Sequence, residues 1–175
     1  ARVTCRPEPS DGVVVREART SDVHAIRRLV DLYASERILL SKATVTLYED
    51  VQEFYVAELG GEVVGCGALH VLWEDLGEVR TLAVDPVYRG RGVGHVLLER
   101  LVTQARAVGL HRLFTLTFEV DFFTHHGFAE IEGTPVSHDV FEQLLQSYDE
   151  GVAEFLGLER VKPNTLGNSR MLLLL

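Results

Sequence analysis

Cysteine is scarce in this chain. Cys5 lies in a polar N-terminal stretch and Cys66 in an apolar run. Neither has the spacing of a metal-ligand set, and the two make no disulfide framework. Positive charge is short as well: 17 Lys and Arg stand against 26 Asp and Glu, a net charge of −9. A nucleic-acid binder carries a basic face, so that class is disfavoured. Long hydrophobic runs are missing. The closing Leu172–Leu175 stretch is far too short to span a bilayer, and no signal peptide is legible. There is no internal repeat, no low-complexity linker and no composition shift that would mark a domain boundary. What remains is ordinary for a globular protein: 175 residues, 46% hydrophobic and 25% charged, enough for one domain with a real core. A cytoplasmic enzyme, with no membrane or nucleic-acid partner and no metal, is the expectation.

The richest stretch runs from Gly77 to Val108. Gly77–Asp85 reads as a strand closed by Pro86, with Val79 and Ala83 alternating against Arg80 and Val84. His95–Val108 reads as a helix, because Val96, Leu97, Leu101, Val102 and Ala105 recur at helical spacing. Between them lies a basic, glycine-rich turn, Arg89-Gly90-Arg91-Gly92-Val93-Gly94. Glycines let backbone N–H groups converge, and a helix N-terminus adds partial positive charge, so the turn suits phosphate. No Lys-Ser or Lys-Thr follows these glycines, which excludes the P-loop. Their G-x-G-x-G spacing also differs from the dinucleotide fingerprint.

The remaining elements follow the chain. Residues 1–12 read as a loose tail and residues 13–175 as the domain. Val13–Val15 is a first strand. Thr20 or Ser21 is placed to cap a helix whose apolar face is Val23, Ile26, Leu29, Val30 and Tyr33. A short helix near Thr44–Gln52 precedes the strand Phe54–Glu58. Gly60-Gly61 turns it into a return strand, Glu62–Trp73, whose middle is weakened by Gly65 and Gly67. After Gly109, a helix C-cap, come the strand His111–Phe118, a short helix Asp121–His126 and a strand Gly127–Ile131. Ser137 or Asp139 caps a helix reaching Tyr148, a further helical piece covers Val152–Leu158, and Ser169–Leu175 is a final strand. The fold class is α/β, one mixed sheet flanked by helices.

The Arg89–Gly94 turn, placed after a strand ending Leu-Ala-Val-Asp-Pro and before an amphipathic helix, resembles the acetyl-CoA pyrophosphate loop of the GCN5-related N-acetyltransferases. Three further segments look like the acetyltransferase domain of N-acetylglutamate synthases: Arg37–Lys42, Val64–His70 with Gly77–Val79, and Gly167–Leu172. The likeness runs from about Val14 to the C-terminus. It is nearest the short, stand-alone bacterial forms, which lack a preceding amino-acid-kinase-like domain. The resemblance implies a mostly antiparallel sheet that splays between its central strands, with the pantetheine arm of acetyl-CoA in the gap. It implies cofactor contacts from Leu82, Ala83 and Val84, from Arg89, Gly90, Arg91, Gly92, Val93, Gly94 and His95, and from Phe123.

The implied reaction is acetyl transfer to the α-amino group of an amino acid, L-glutamate above all, as in arginine biosynthesis. Glu78 is the candidate base, taking the amine proton through water. Its other reading is an exposed strand residue paired with Arg80. Lys42, Arg80 and Ser169 are the candidate substrate-binding residues, with Arg170 as another cation. The sequence departs from the family in places. Phe123 stands where the family has the tyrosine that protonates the leaving thiolate, and His125 is a conceivable substitute. His70 and Gly167 stand where the family has lysine and arginine. A peptide or protein N-acetyltransferase and a non-catalytic acyl-CoA sensor are the rival readings. Oligomeric state is open, with a homodimer as one option.

Overall fold

Tyr55 and Ala57 point to one side of their strand and Phe54 and Val56 to the other, and all four are buried. The strand therefore belongs to a sheet covered on both faces. The computed structural model describes residues 12–34, 43–158 and 167–175. Among them, in chain order, are β1 (Val14–Glu17), α1 (Val23–Ala34), α2 (Thr44–Glu49), β2 (Phe54–Leu59), β3 (Glu62–Trp73), β4 (Leu76–Val84) and α3 (Val93–Val108). Then follow β5 (Arg112–Thr117), α4 (Val120–His125), β6 (Ala129–Ile131), α5 (His138–Leu144), α6 (Glu150–Phe155) and β7 (Ser169–Leu174). The strands form one sheet in the order β1-β2-β3-β4-β5-β7-β6. Its pairs are antiparallel except β4 with β5. The expected α/β class and single mixed sheet are what the chain adopts. The tail expected over residues 1–12 lies, apart from Gly12, outside the described residues.

Helix α3 covers one face. Leu97, Leu98, Leu101 and Ala105 pack with Leu69, Val79, Leu113 and Met171. Gly65 and Gly67 are there because α3 comes close. A Cβ on Gly65 would lie 2.9 Å from Leu97 Cδ1, and one on Gly67 3.0 Å from Leu101 Cδ1. On the other face, α1 packs on Phe54, Val56, Cys66 and Ala83, while α5 and α6 pack on Leu72, Leu76 and Phe114. Those two helical layers flank a cleft over the middle of β4.

The simple alternation expected for β4 fails at one point. Cys66 pairs with Ala83 but Ala68 with Arg80, so two β4 residues, Thr81 and Leu82, oppose Gly67 alone. Thr81 takes φ +54° to make this bulge. A β-branched residue in that region costs about 1–3 kcal/mol and persists only where its surroundings impose it. The bulge flips the side-chain parity. Val79 faces α3, whereas Ala83 turns to α1.

Other boundaries move for local reasons. The helix expected to reach Tyr148 ends at Leu144, and α6 starts at Glu150 with Asp149 as its N-cap. Neither Thr20 nor Ser21 caps α1. Thr20–Asp22 is a 3-10 turn leading into it, and the buried Asp22 carboxylate closes that turn by accepting the Arg19 N–H at 2.7 Å. The same carboxylate takes Arg16 Nη1 at 2.7 Å and Nη2 at 2.9 Å.

The Arg16 guanidinium, aided by the Arg19 N–H, holds the Asp22 carboxyl below its ordinary value. A carboxyl depressed in the folded state stabilises above its unfolded pKa, about 3.9, and that stability is lost as pH falls through the folded value. Asp22→Asn is expected to cost about 1.5–3 kcal/mol at pH 7, as for a hydrogen bond to a charged group. The stabilities of the two proteins by urea unfolding should begin to converge as pH falls below about 4, and meet only below the depressed value of Asp22.

Candidate active site

Strands β4 and β5 pair over three residues, Leu76↔Arg112, Gly77↔Leu113 and Glu78↔Phe114, and then part. The Thr115 hydroxyl donates to the Val79 carbonyl at 3.1 Å, at the point of parting. Beyond it lies a cavity of about 590 Å³. Its lining runs from the β4–α3 turn, past the parted strands, to the first turn of α6.

At the turn end, Gly90 and Gly92 have φ +78° and +75°, a conformation that glycine adopts without strain. Gly92 is the N-cap of α3, whose first bond is Val96 N–H to Gly92 O, at 3.1 Å. The N–H groups of Val93, Gly94 and His95 thus begin the helix with no intrahelical acceptor. With the helix dipole and Arg89, which also lines the cavity, this end suits a diphosphate. Arg91 does not line the cavity; its guanidinium lies over the Tyr88 ring, 5.5 Å from the centroid. His95 lines it and meets His126, Nδ1 to Nε2, at 2.6 Å, while His126 Nδ1 donates to the Phe122 carbonyl at 2.8 Å. Of the two adjacent histidines, His126 is the one tied to a cavity-lining residue, through His95, and His125 is an exposed residue bonded to Asp121 O.

Leu82, Val84 and Phe123 line the middle. Ala83 does not, because the bulge has turned its side chain into the α1 core. Phe123 is buried between Phe122 and Phe128, ring centroids 5.2 and 5.1 Å away, and carries no group that can give a proton. Cys66 is no nucleophile: burial pushes its thiol up to about 12.

The other end is charged. Glu78 and Arg80 share a face, as expected, but Glu78 is buried rather than exposed, at 4% accessibility. Arg80 Nε donates to Glu78 Oε2 at 2.9 Å, and Arg80 Nη1 to Asp149 Oδ1 at 2.8 Å. Burial pushes the Glu78 carboxyl up, against the pull of Arg80 and of His70, its cross-strand partner. Burial also works against the Arg80 charge, but Glu78 and Asp149 outweigh it. His70, where the family has lysine, is held by Glu53 at 2.7 Å. Among the described residues two buried side-chain atoms lack a hydrogen-bond partner, Arg80 Nη2 and Asn168 Oδ1, and both residues line this one cavity.

Residues 23–130 match the model of the acetyltransferase (GNAT) family. The chain belongs to that family. The chain is 63% identical, over 98% of its length and 96% of the relative's, to an amino-acid acetyltransferase of Mycobacterium tuberculosis. It is 39% identical over 72% of its length to an amino-acid acetyltransferase of Pseudomonas fluorescens, of which it spans 28%. A crystal structure of Rv2747 from M. tuberculosis, in complex with CoA and NLQ, superposes with a TM-score of 0.90. It is 65% identical, covering 93% of this chain and 99% of that one. The N-acetylglutamate synthase of Neisseria gonorrhoeae, complexed with coenzyme A and N-acetyl-glutamate, superposes at 0.74 and 25% identity. That match covers 93% of this chain and 35% of the synthase.

Within this GNAT domain the substrate residues expected from the sequence part company. Lys42 lies outside the described residues. Ser169 pairs with Thr117 in the sheet and does not line the cavity; its neighbour Asn168 does. Arg170 is spent on the carbonyls of Gly133 and Phe155 and stacks over Phe114 at 4.9 Å. Asn168 and Asp149 were missed by sequence reasoning. Asn168 sat inside a segment already singled out, whereas nothing in the sequence joins Asp149 to Arg80.

Proposed function

We propose that this GNAT domain transfers the acetyl group of acetyl-CoA to the α-amino group of L-glutamate, giving N-acetylglutamate for arginine biosynthesis. One observation carries the reading: a turn suited to diphosphate and the buried Glu78–Arg80 pair lie at opposite ends of a single cavity, joined by the parted strands. A linear thioester entering past the turn puts its acyl end at Glu78. The solved neighbours that hold CoA, and the relatives named amino-acid acetyltransferases, support the same assignment.

The chain's residues divide the work. The N–H groups of Val93, Gly94 and His95, with Arg89, take the diphosphate. The backbone of β4 from Thr81 to Val84, freed from β5, offers amide-binding groups to the pantetheine arm and one N–H to the thioester carbonyl. Glu78, raised by burial, accepts the amine proton, directly or through water. Arg80 Nη2 and Lys42 receive substrate carboxylate. With Phe123 in place of a tyrosine, the thiolate takes its proton from solvent. The closed setting of Arg80 beneath α6 favours a free amino acid over a peptide.

Three measurements test this. In a turnover assay with acetyl-CoA and a panel of amino acids and peptides, L-glutamate should give the highest kcat/KM. Better acetylation of a neutral amino acid or a peptide amine overturns the glutamate assignment and leaves the acetyltransferase in place. Gly92→Glu puts a carboxylate at the head of α3, and calorimetric titration should show CoA affinity lower by at least about tenfold, equivalent to 1.4 kcal/mol. Unchanged affinity removes the turn from the cofactor site. Glu78→Gln should lower kcat by roughly 10²-fold at pH 7, within the range for acid–base catalysis. The deficit should shrink toward pH 10, where the amine is already deprotonated; an equal loss at both pH values means that Glu78 positions the substrate instead.

A further inference from the structure

Arg80 is fixed on three sides. Nε is bonded to Glu78 and Nη1 to Asp149. The third constraint is Gly151, in the first turn of α6. A Cβ there would lie 2.4 Å from Arg80 Cζ and 2.6 Å from Nη2, so the helix backbone rests on the guanidinium and any side chain there would displace it. The residue is 8% exposed, and Nη2 is left without a partner. A buried donor without an acceptor is costly, and a cavity-lining one is a place for a ligand's acceptor.

We propose that Arg80 Nη2 binds the α-carboxylate of a free amino acid, and that Asp149 and Gly151 are positioning residues that aim it. This rests on the amino-acid N-acetyltransferase reading and says which carboxylate is recognised. Nη2 belongs to the same planar guanidinium whose Nε holds Glu78. A substrate with its amine at Glu78 and a carboxylate on Nη2 must carry the two groups close together, as on one α-carbon. A side-chain carboxylate several bonds away does not match that spacing. Asp149 has two tasks: its Oδ1 caps α6 by accepting the Val152 N–H at 2.9 Å, and it holds Nη1. The helix that roofs the site and the arginine that reads the substrate are therefore set by one carboxylate.

The test is steady-state kinetics on the full chain, with L-glutamate and its α-amide as substrates. Wild type should use the free acid at least about tenfold better in kcat/KM, the worth of one charge-assisted contact. Asp149→Asn keeps a good N-cap and removes the charge that holds Arg80. It should raise KM for glutamate at least about tenfold, leave KM for acetyl-CoA unchanged and erode the preference over the α-amide. Gly151→Ala, which displaces the guanidinium, should do the same. A merely structural role would lower the melting temperature and affect both substrates alike. Wild type that uses the α-amide as well as glutamate overturns the proposal even if neither variant folds. Unchanged glutamate KM in a folded Asp149→Asn overturns the positioning role while the proposed reaction stands. Failure of wild type to acetylate any free amino acid overturns the reaction itself.

Discussion

Among the described residues, β4 has no strand partner on its β5 side after Glu78. Backbone N–H and C=O groups at such a gap need partners from outside the sheet, because leaving them buried and unpaired costs as much as a lost hydrogen bond. The candidate site is arranged about that gap. The Thr115–Val79 bond holds its closed end, and the β4–α3 turn stands at its open end. The Thr81 bulge re-aims β4 within it, so that Leu82 and Val84 line the cavity while Ala83 fills the α1 core. A continuous β4–β5 ladder would satisfy the backbone and abolish the site.

The buried charges follow the same logic. Glu78 and Arg80 sit over the closed end, where removal from water disfavours both ionised forms, and a pair so placed persists only with good geometry and further partners. Asp149 supplies one such partner from a helix far along the chain, and the coupling explains why a short helix is anchored over the cleft. Raising the carboxyl while holding a cation against it fits an acetyltransferase whose amine substrate arrives protonated.

Much of this was legible in the residues. The glycine-rich turn, with strand before and helix after, marks one end of the site, because a phosphate loop needs a particular order of residue types that chance rarely supplies. Glu78 and Arg80 could be placed on one face by the period of two. Three things were not legible. A bulge shifts parity without a local signature, since Thr81 is an ordinary strand residue in composition. Ser169 and Asn168 are adjacent, and only the pairing of Ser169 with Thr117 shows which of them faces the cavity. Of His125 and His126, likewise, only the approach of His95 shows that His126 is the one tied to the cavity lining.

The sequence by itself determined the family resemblance, the glycine-rich turn and the shared face of Glu78 and Arg80, because each rests on neighbours along the chain whose spacing is set by helix and strand geometry. Only the tertiary structure decided how those parts act together. Asp149 reaches Arg80 because the loop between α5 and α6 lays the start of α6 across the sheet. A side chain at Gly151 would push against a guanidinium from β4. Such contacts link residues far apart in the chain through packing alone, and packing depends on the whole core closing at once rather than on any local run of residues.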